Sequence, residues 1–314
     1  MSIDAELKEH LDQFPVLDLT DESLVEIRTE LNAQSLEAVS KIEGFDHLSI
    51  ADRFVPNPWS DQSLRLRIYS PPITNGQTPC LLWIHGGGYI LGCPEMDELM
   101  LCRLVDYVGC TVVAPDYRLA PEHPYPDACN DCRRTLDWLL DNKDELSIRT
   151  DDLAVGGASA GAGLAASLVL SCRDRQNNPA KFQCLIYPML DHRNVEEDSD
   201  RAAPYEVWTR ENNRFAWNAY LGGNSVTRAT SALESPVRAR LLHDLPATYM
   251  CVGDQDLFYD ESKDYARRLS EAGVPLEFHV IRGAIHGFDM FAVTIAEEEL
   301  ARRFRILLRH FGQK

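Results

Sequence analysis

The chain has 314 residues, 45% of them hydrophobic and 25% charged, a balance that excludes collagenous, coiled-coil and disordered chains and leaves one large folded domain or two ordinary ones. Lysine and arginine number 31 against 49 aspartates and glutamates, a net charge of −18 at pH 7, so neither nucleic acid nor a stable membrane association is expected. Nine cysteines without the short repeated spacing of a disulfide scaffold or zinc module fit a reduced, cytoplasmic setting.

The opening MSIDAELKEH carries acids and no apolar run, unlike a secretory signal. Residues 1–46 are acidic and helical in pattern, with Leu24, Ile27 and Leu31 on one face, Thr20 placed as a cap and acids in the first turn. Seven β-rich runs follow: 64–69, 81–84, 111–114, 152–157, 182–187, 248–253 and 276–281. The first alternates apolar and charged residues as a half-exposed, antiparallel edge region does, whereas the others read as apolar strands buried on both faces. Helical stretches separate most of them, and the alternation predicts a mostly parallel α/β sheet. The apolar stretch Ala160 to Cys172 is shorter than the roughly 20 residues of a membrane helix.

Between the fifth and sixth runs lies an excursion from His192 to Pro246, too long for a simple strand-to-helix connection and expected to lie over the sheet. It opens with the acidic stretch Glu196, Glu197, Asp198 and Asp200, then continues through ENNRFAWNAYLGG, where Phe215, Ala219 and Tyr220 share a helical face. Tyr205, Trp208, Phe215 and Trp217 serve equally as the lining of a substrate pocket or as the small core of this lobe.

The run DLAVGG passes directly into Gly157, Ala158, Ser159, Ala160, Gly161 and a helical stretch. This is GxSxG: a serine on a strained strand-to-helix turn needs small flanking residues so that the backbone can bend and present Oγ. Gly161, Gly163 and Ala166 also fit GxGxxA, but that pattern begins inside the predicted helix, away from the strand end where a dinucleotide site requires it. Upstream, a strand ends in His85, Gly86, Gly87 and Gly88. Bare backbone N–H groups of Gly87 and Gly88, with that of Ala160, can converge on the oxyanion of an acyl-transfer intermediate. A phosphate-binding loop would require a following lysine, which is absent, and His85 reads as structural.

A serine needs a base, and the base needs a carboxylate to fix its tautomer. His286 lies in a glycine-flanked loop after the last strand, whereas His279 falls within a strand and His310 within the terminal helix. The acid is expected after the preceding strand, where Asp254, Asp256 and Asp260 compete and Asp256 lies furthest from both strand end and helix start. The order Ser159, Asp256, His286 is that of an α/β-hydrolase. Cys129 and Cys132 form a CxxC inside a helical pattern without a second pair, and read as structural thiols.

With these motifs, and with APDYRLAPEHPYP, LIYPMLD, SPVRA and YARRLSEAGVPLEFHVIRGAIHGF, the sequence resembles the hormone-sensitive-lipase-like branch of the α/β-hydrolases, the bacterial type IV esterases. The resemblance implies an α/β-hydrolase fold, with a mostly parallel sheet of about eight strands flanked by helices and a helical cap. The implied plan is 1–46 as the N-terminal part of the cap, 47–191 as core, 192–225 as cap insertion and 226–314 as core. In that family the acid opens a DPLxDE-like motif, aligning with Asp256 to Glu261, and the oxyanion donors carry over to Gly87, Gly88 and Ala160. Ala158 and Leu257 depart from the family's usual aspartate and proline. That leaves the triad intact but alters the groups beside it.

The expected activity is that of a serine carboxylesterase acting on small, short- to medium-chain esters, with no cofactor and no metal. Activity is expected to fall as acid protonates the base. Amidase or deacetylase chemistry uses the same triad and is the first alternative. A non-catalytic small-molecule receptor is the second, although receptors on this fold have lost the histidine that stands here. The sequence leaves a homodimer open.

Overall fold

The computed structural model describes residues 2–11, 17–72, 76–195, 207–223 and 230–312; the acidic stretch at 196–200 and Tyr205 lie outside them. In chain order come α1 (Ala5–His10), α2 (Leu24–Ser40), β1 (Ser49–Val55), β2 (Leu64–Ser70), β3 (Cys80–Ile84), α3 (Glu98–Val108) and β4 (Thr111–Pro115). Then follow α4 (Asp127–Asp141), β5 (Ala154–Ala158), α5 (Ala160–Asp174), β6 (Phe182–Ile186), α6 (Arg210–Tyr220), β7 (Ala247–Gly253), α7 (Tyr259–Glu271), β8 (Leu276–Ile281) and α8 (Thr294–His310). The strands form one eight-stranded sheet in the order β1-β2-β4-β3-β5-β6-β7-β8. β2 runs antiparallel to both β1 and β4, and every pairing from β4 to β8 is parallel.

Alternate residues of the central strands feed two cores. Cys80, Leu82 and Ile84 of β3 join one with α4, α5 and α7, while Leu81 and Trp83 join the other with α3 and α8. This is the three-layer solution for a parallel sheet, whose strands must be apolar on both faces. α5 runs along the middle of one face with almost every residue buried.

The two ends of the sheet depart from the sequence reading. β1 has no apolar run to announce it, since SIADRFV leaves only Val55 fully buried, yet it forms the antiparallel edge outside β2. β8 is not buried on both faces as its composition predicts; it is the opposite edge, and Val280 is 42% exposed. The alternation of β2 does correspond to two environments. Leu64, Leu66 and Ile68 enter the core, while Arg65 and Arg67 are held by Glu95 (2.6 Å to Arg65), Glu98 (2.6 Å to Arg67), Asp116 and Asp52.

At the N-terminus, the carboxylate of Asp4 accepts the Glu6 N–H (2.9 Å) to cap α1, and the Asp4 N–H itself donates to the Gly283 carbonyl (2.9 Å). Thr20 and Ser23 cap one another ahead of α2: each side-chain oxygen accepts the other's N–H, at 3.1 and 2.9 Å. Leu24 is buried at the head of that helix, with Ile27 and Leu31 packed against the core behind it.

Candidate active site

The bend at Ser159 joins β5 to α5 with φ 55° and ψ −120°, a left-handed conformation that costs a non-glycine residue energy. Three hydrogen bonds hold it there. The Ser159 N–H donates to the Ile186 carbonyl (2.9 Å), and the Ser159 carbonyl accepts the N–H groups of Gly163 and Met189 (both 3.1 Å). Gly161 is required by close approach, because a Cβ there would lie 2.0 Å from the Ile84 carbonyl oxygen and 2.3 Å from that of His85. The head of α5 is therefore seated against the end of β3, and the serine is carried at the C-terminal end of the central strand β5.

Ser159 Oγ lies 2.9 Å from His286 Nε2, and His286 Nδ1 lies 2.9 Å from Asp256 Oδ2. A carboxylate only accepts, so the ring proton sits on Nδ1, which leaves the Nε2 lone pair facing the serine hydroxyl. The other oxygen of Asp256 accepts the Phe258 N–H (2.8 Å), and all three side chains are largely buried. Of the competing acids, only Asp256 reaches the ring. Asp254 instead accepts the Gly283 N–H (2.8 Å), its own N–H donates to the Ile281 carbonyl, and the Gln255 N–H donates to that of Ala284. The acid loop and the histidine loop are thus laced together by main chain. His279 lies in β8 and His310 in α8, where the latter's Nε2–H donates to the Asp152 carbonyl (2.8 Å).

The histidine has supports that no local pattern announced. Its ring meets Tyr187 (4.8 Å between centroids) and Phe258 (4.9 Å) edge-on. The Tyr187 hydroxyl donates to Asp289 (2.6 Å), whose second oxygen pairs with the buried Arg303 (2.8 Å). Asp289 and Arg303 are separated in sequence and meet only after α8 packs on the sheet.

Across from the serine, Gly87 (φ 108°), Gly88 (φ 61°) and Tyr89 (φ 66°) form a left-handed turn, closed where the N–H groups of Ile90 (3.1 Å) and Leu91 (2.8 Å) donate to the Gly87 carbonyl. Among the described residues, no protein acceptor takes the N–H of Gly87, Gly88 or Ala160. His85 stacks on Tyr117 (4.2 Å), its Nδ1–H donates to the Gly86 carbonyl (2.8 Å), and burial lowers its pKa so that it stays neutral. The Tyr117 hydroxyl donates to the His85 carbonyl (3.1 Å), which fixes the strand end from which the turn departs.

Residues of the excursion reach this turn. A Cβ on Gly88 would lie 2.4 Å from Trp208 Cη2, and the Trp208 indole N–H donates to Asn213 (3.3 Å). The Asn213 amide donates to the Asn194 carbonyl (2.6 Å), and the Asn194 amide to the Leu257 carbonyl (3.0 Å) and to the buried carboxylate of Glu261 (2.8 Å). Burial first, then the nearby Asp191, pushes the pKa of Glu261 up, against the hydrogen bonds that it accepts. Trp217, in contrast, is fully buried among Tyr89, Tyr220 and His192, as the core of the lobe. Ala158 is buried in the apolar core on the face that α3 and α8 cover. Cys129 and Cys132 lie in α4, and the thiol of Cys129 meets the Tyr220 hydroxyl (3.3 Å).

A serine on a strand-to-helix bend, hydrogen-bonded to a histidine and through it to an aspartate, beside a turn of unengaged amides, defines the serine hydrolase class on a doubly flanked parallel sheet. The family model described as the alpha/beta hydrolase fold matches residues 81–290. Esterase LipI of Mycobacterium tuberculosis is 30% identical over 98% of this chain and 95% of its own length, and an arylesterase of Saccharolobus solfataricus is 30% identical over 92% of each. Among solved structures, a bacterial heroin esterase superposes with a TM-score of 0.92 at 34% identity, covering 99% of this chain and 98% of its own. Esterase LipW of Mycobacterium marinum gives 0.85 at 32%, covering 96% and 98%. The chain belongs to the α/β-hydrolase family, in its hormone-sensitive-lipase-like branch of bacterial type IV esterases, and is a carboxylic ester hydrolase. Neither the amidase nor the receptor alternative is favoured by these relatives. No helix among the described residues is long and apolar enough to cross a membrane.

Proposed function

We propose that the chain hydrolyses small, short- to medium-chain carboxylic esters through an acyl-enzyme, with Ser159 as nucleophile, His286 as base and acid, and Asp256 as the group that orients the ring. The observation that carries this reading is the pair of 2.9 Å contacts linking Ser159 Oγ, His286 and Asp256. As Oγ attacks the carbonyl carbon, His286 Nε2 takes its proton. The oxyanion that forms is met by the N–H groups of Gly87, Gly88 and Ala160, the last at the head of α5, where the helix dipole also favours negative charge. On collapse the imidazolium returns the proton to the departing alkoxide and an alcohol leaves. The same nitrogen then deprotonates water, which attacks the acyl carbon, and the carboxylic acid departs as Ser159 recovers its proton.

Residues 1–46 and 192–225 are read as the two parts of a cap, because Arg28 of α2 reaches the Ile90 carbonyl and Ala216 of α6, with Trp208, lies against Gly88, both at the turn beside the triad. Nine free cysteines, eight of them buried, support a reduced, cytoplasmic setting. Ser159→Ala tests the assignment: ester turnover is expected to fall by at least about 10⁴-fold and fluorophosphonate labelling to vanish from the peptide carrying residue 159, with the thermal midpoint retained. Turnover that survives in pure protein would overturn it. A chromogenic series of increasing acyl length fixes the substrate range.

A further inference from the structure

We infer that Arg28 of α2 is a positioning residue for the oxyanion turn, and that the N-terminal helix therefore acts on turnover and not only on substrate access. The inference rests on the proposed function. One guanidinium serves three acceptors from two segments distant in sequence. Its Nε–H donates to the Ile90 carbonyl (2.9 Å), one terminal nitrogen to the Ala120 carbonyl (3.0 Å) and to Glu122 Oε2 (3.2 Å), and the other to Glu122 Oε1 (3.0 Å). The Arg28 side chain is 18% exposed, and Ile90 and Ala120 are buried.

These acceptors frame the turn. The Ala120 N–H donates to the Tyr89 carbonyl (3.0 Å), so the main chain of segment 118–122 holds Tyr89 and Arg28 holds the next carbonyl along. Ile90 also donates its N–H to the Gly87 carbonyl that closes the turn. Glu122 fixes the plane of the guanidinium in turn. Removing the guanidinium strands two buried carbonyls and frees the end of the turn that carries the Gly87 and Gly88 N–H groups. A lysine cannot replace the fork, because a single ammonium cannot span three acceptors in one plane. The oxyanion exists only beyond the ground state, so a loosened turn lowers kcat and leaves KM nearly unchanged.

Arg28→Met, Arg28→Lys and Glu122→Gln test this, each assayed with a p-nitrophenyl ester and with the thionoester that bears sulfur at the carbonyl position. Sulfur accepts N–H hydrogen bonds poorly, so the ratio of ester to thionoester kcat reads the oxyanion turn directly. Arg28→Met is expected to lower ester kcat by about 10- to 100-fold, with KM within about 3-fold and a collapsed ratio. Arg28→Lys should fall between it and wild type, and Glu122→Gln should lose less than about 5-fold. A substitution that merely destabilised the fold would scale both substrates alike, so a wild-type ratio in both arginine variants overturns the inference. Should Arg28→Met fail to fold, Arg28→Lys assayed below its thermal midpoint carries the decision by the same ratio. Ester turnover retained by Ser159→Ala would instead sink the underlying catalytic reading, an outcome distinguishable from a wild-type ratio in the arginine variants.

Discussion

The bend at Ser159 and the turn at Gly87 and Gly88, proposed above as nucleophile and oxyanion site, lie side by side, but they are held there by different means. The bend is seated by main chain: the head of α5 lies against the last carbonyls of β3, with almost no side-chain volume between them. The turn is held by side chains from distant parts of the chain, with Arg28 on one side, Trp208 on another and Tyr117 beneath. Damage at the bend therefore has to travel through the sheet, whereas damage at the turn can stay local and appear in turnover.

Gly161→Ala should give the largest effect, because its Cβ would fall 2.0 Å from the Ile84 carbonyl oxygen, which cannot move without β3. A loss of about 4 kcal/mol or more is expected, read as the shift of a urea unfolding midpoint. Near-wild-type stability would show that the bend is less tightly seated than the comparison holds. Gly88→Ala should behave in the opposite way. Its φ of 61° and the Trp208 ring 2.4 Å from the new Cβ displace the turn. We expect kcat to fall about 100-fold with a stability loss of only about 1–2 kcal/mol, and Trp208→Ala in the same background to recover part of the rate in steady-state assays.

The smallest expected effect concerns acid. Glu95 anchors the segment that leaves the turn to β2; burial pushes its pKa up, but the hydrogen bonds from Arg65, that from its own backbone N–H and the charges of Arg65 and Arg67 outweigh this and hold it at about 2. A carboxylate with a folded-state pKa below its unfolded value of 4.5 contributes stability above that pH, and the contribution is lost as the pH falls through about 2. Glu95→Gln is therefore expected to cost about 2 kcal/mol near neutrality, with the difference from wild type shrinking below pH 4.5 in thermal melts across a pH series. A pH-independent difference would mean that packing, not charge, is what Glu95 supplies.

The same contrast governs what could be read from sequence. The bend was legible because its requirement is local: Gly157, Ser159 and Gly161 stand within five residues, and the strand before and helix after are contiguous with them. Asp256 and His286 were legible from their places after β7 and β8. Arg28, Tyr187, Asp289 and Arg303 were not, because their meaning lies in partners outside their own elements, from 14 to 102 residues away, and an arginine in a helical pattern reads as surface charge until the fold supplies its acceptors. Edge strands failed for a related reason. SIADRFV lacks an apolar run because only one neighbour covers it, and LEFHVI carries enough apolar residues to look central although it ends the sheet.

The bond from the Asp4 N–H to the Gly283 carbonyl ties the residue ahead of α1 to the loop three residues before the base proposed here, and Thr294 holds Glu6 just beyond it. A change at Asp4 or Glu6 therefore bears on the loop that carries His286, so variants that differ only at these positions are not interchangeable in a kinetic comparison.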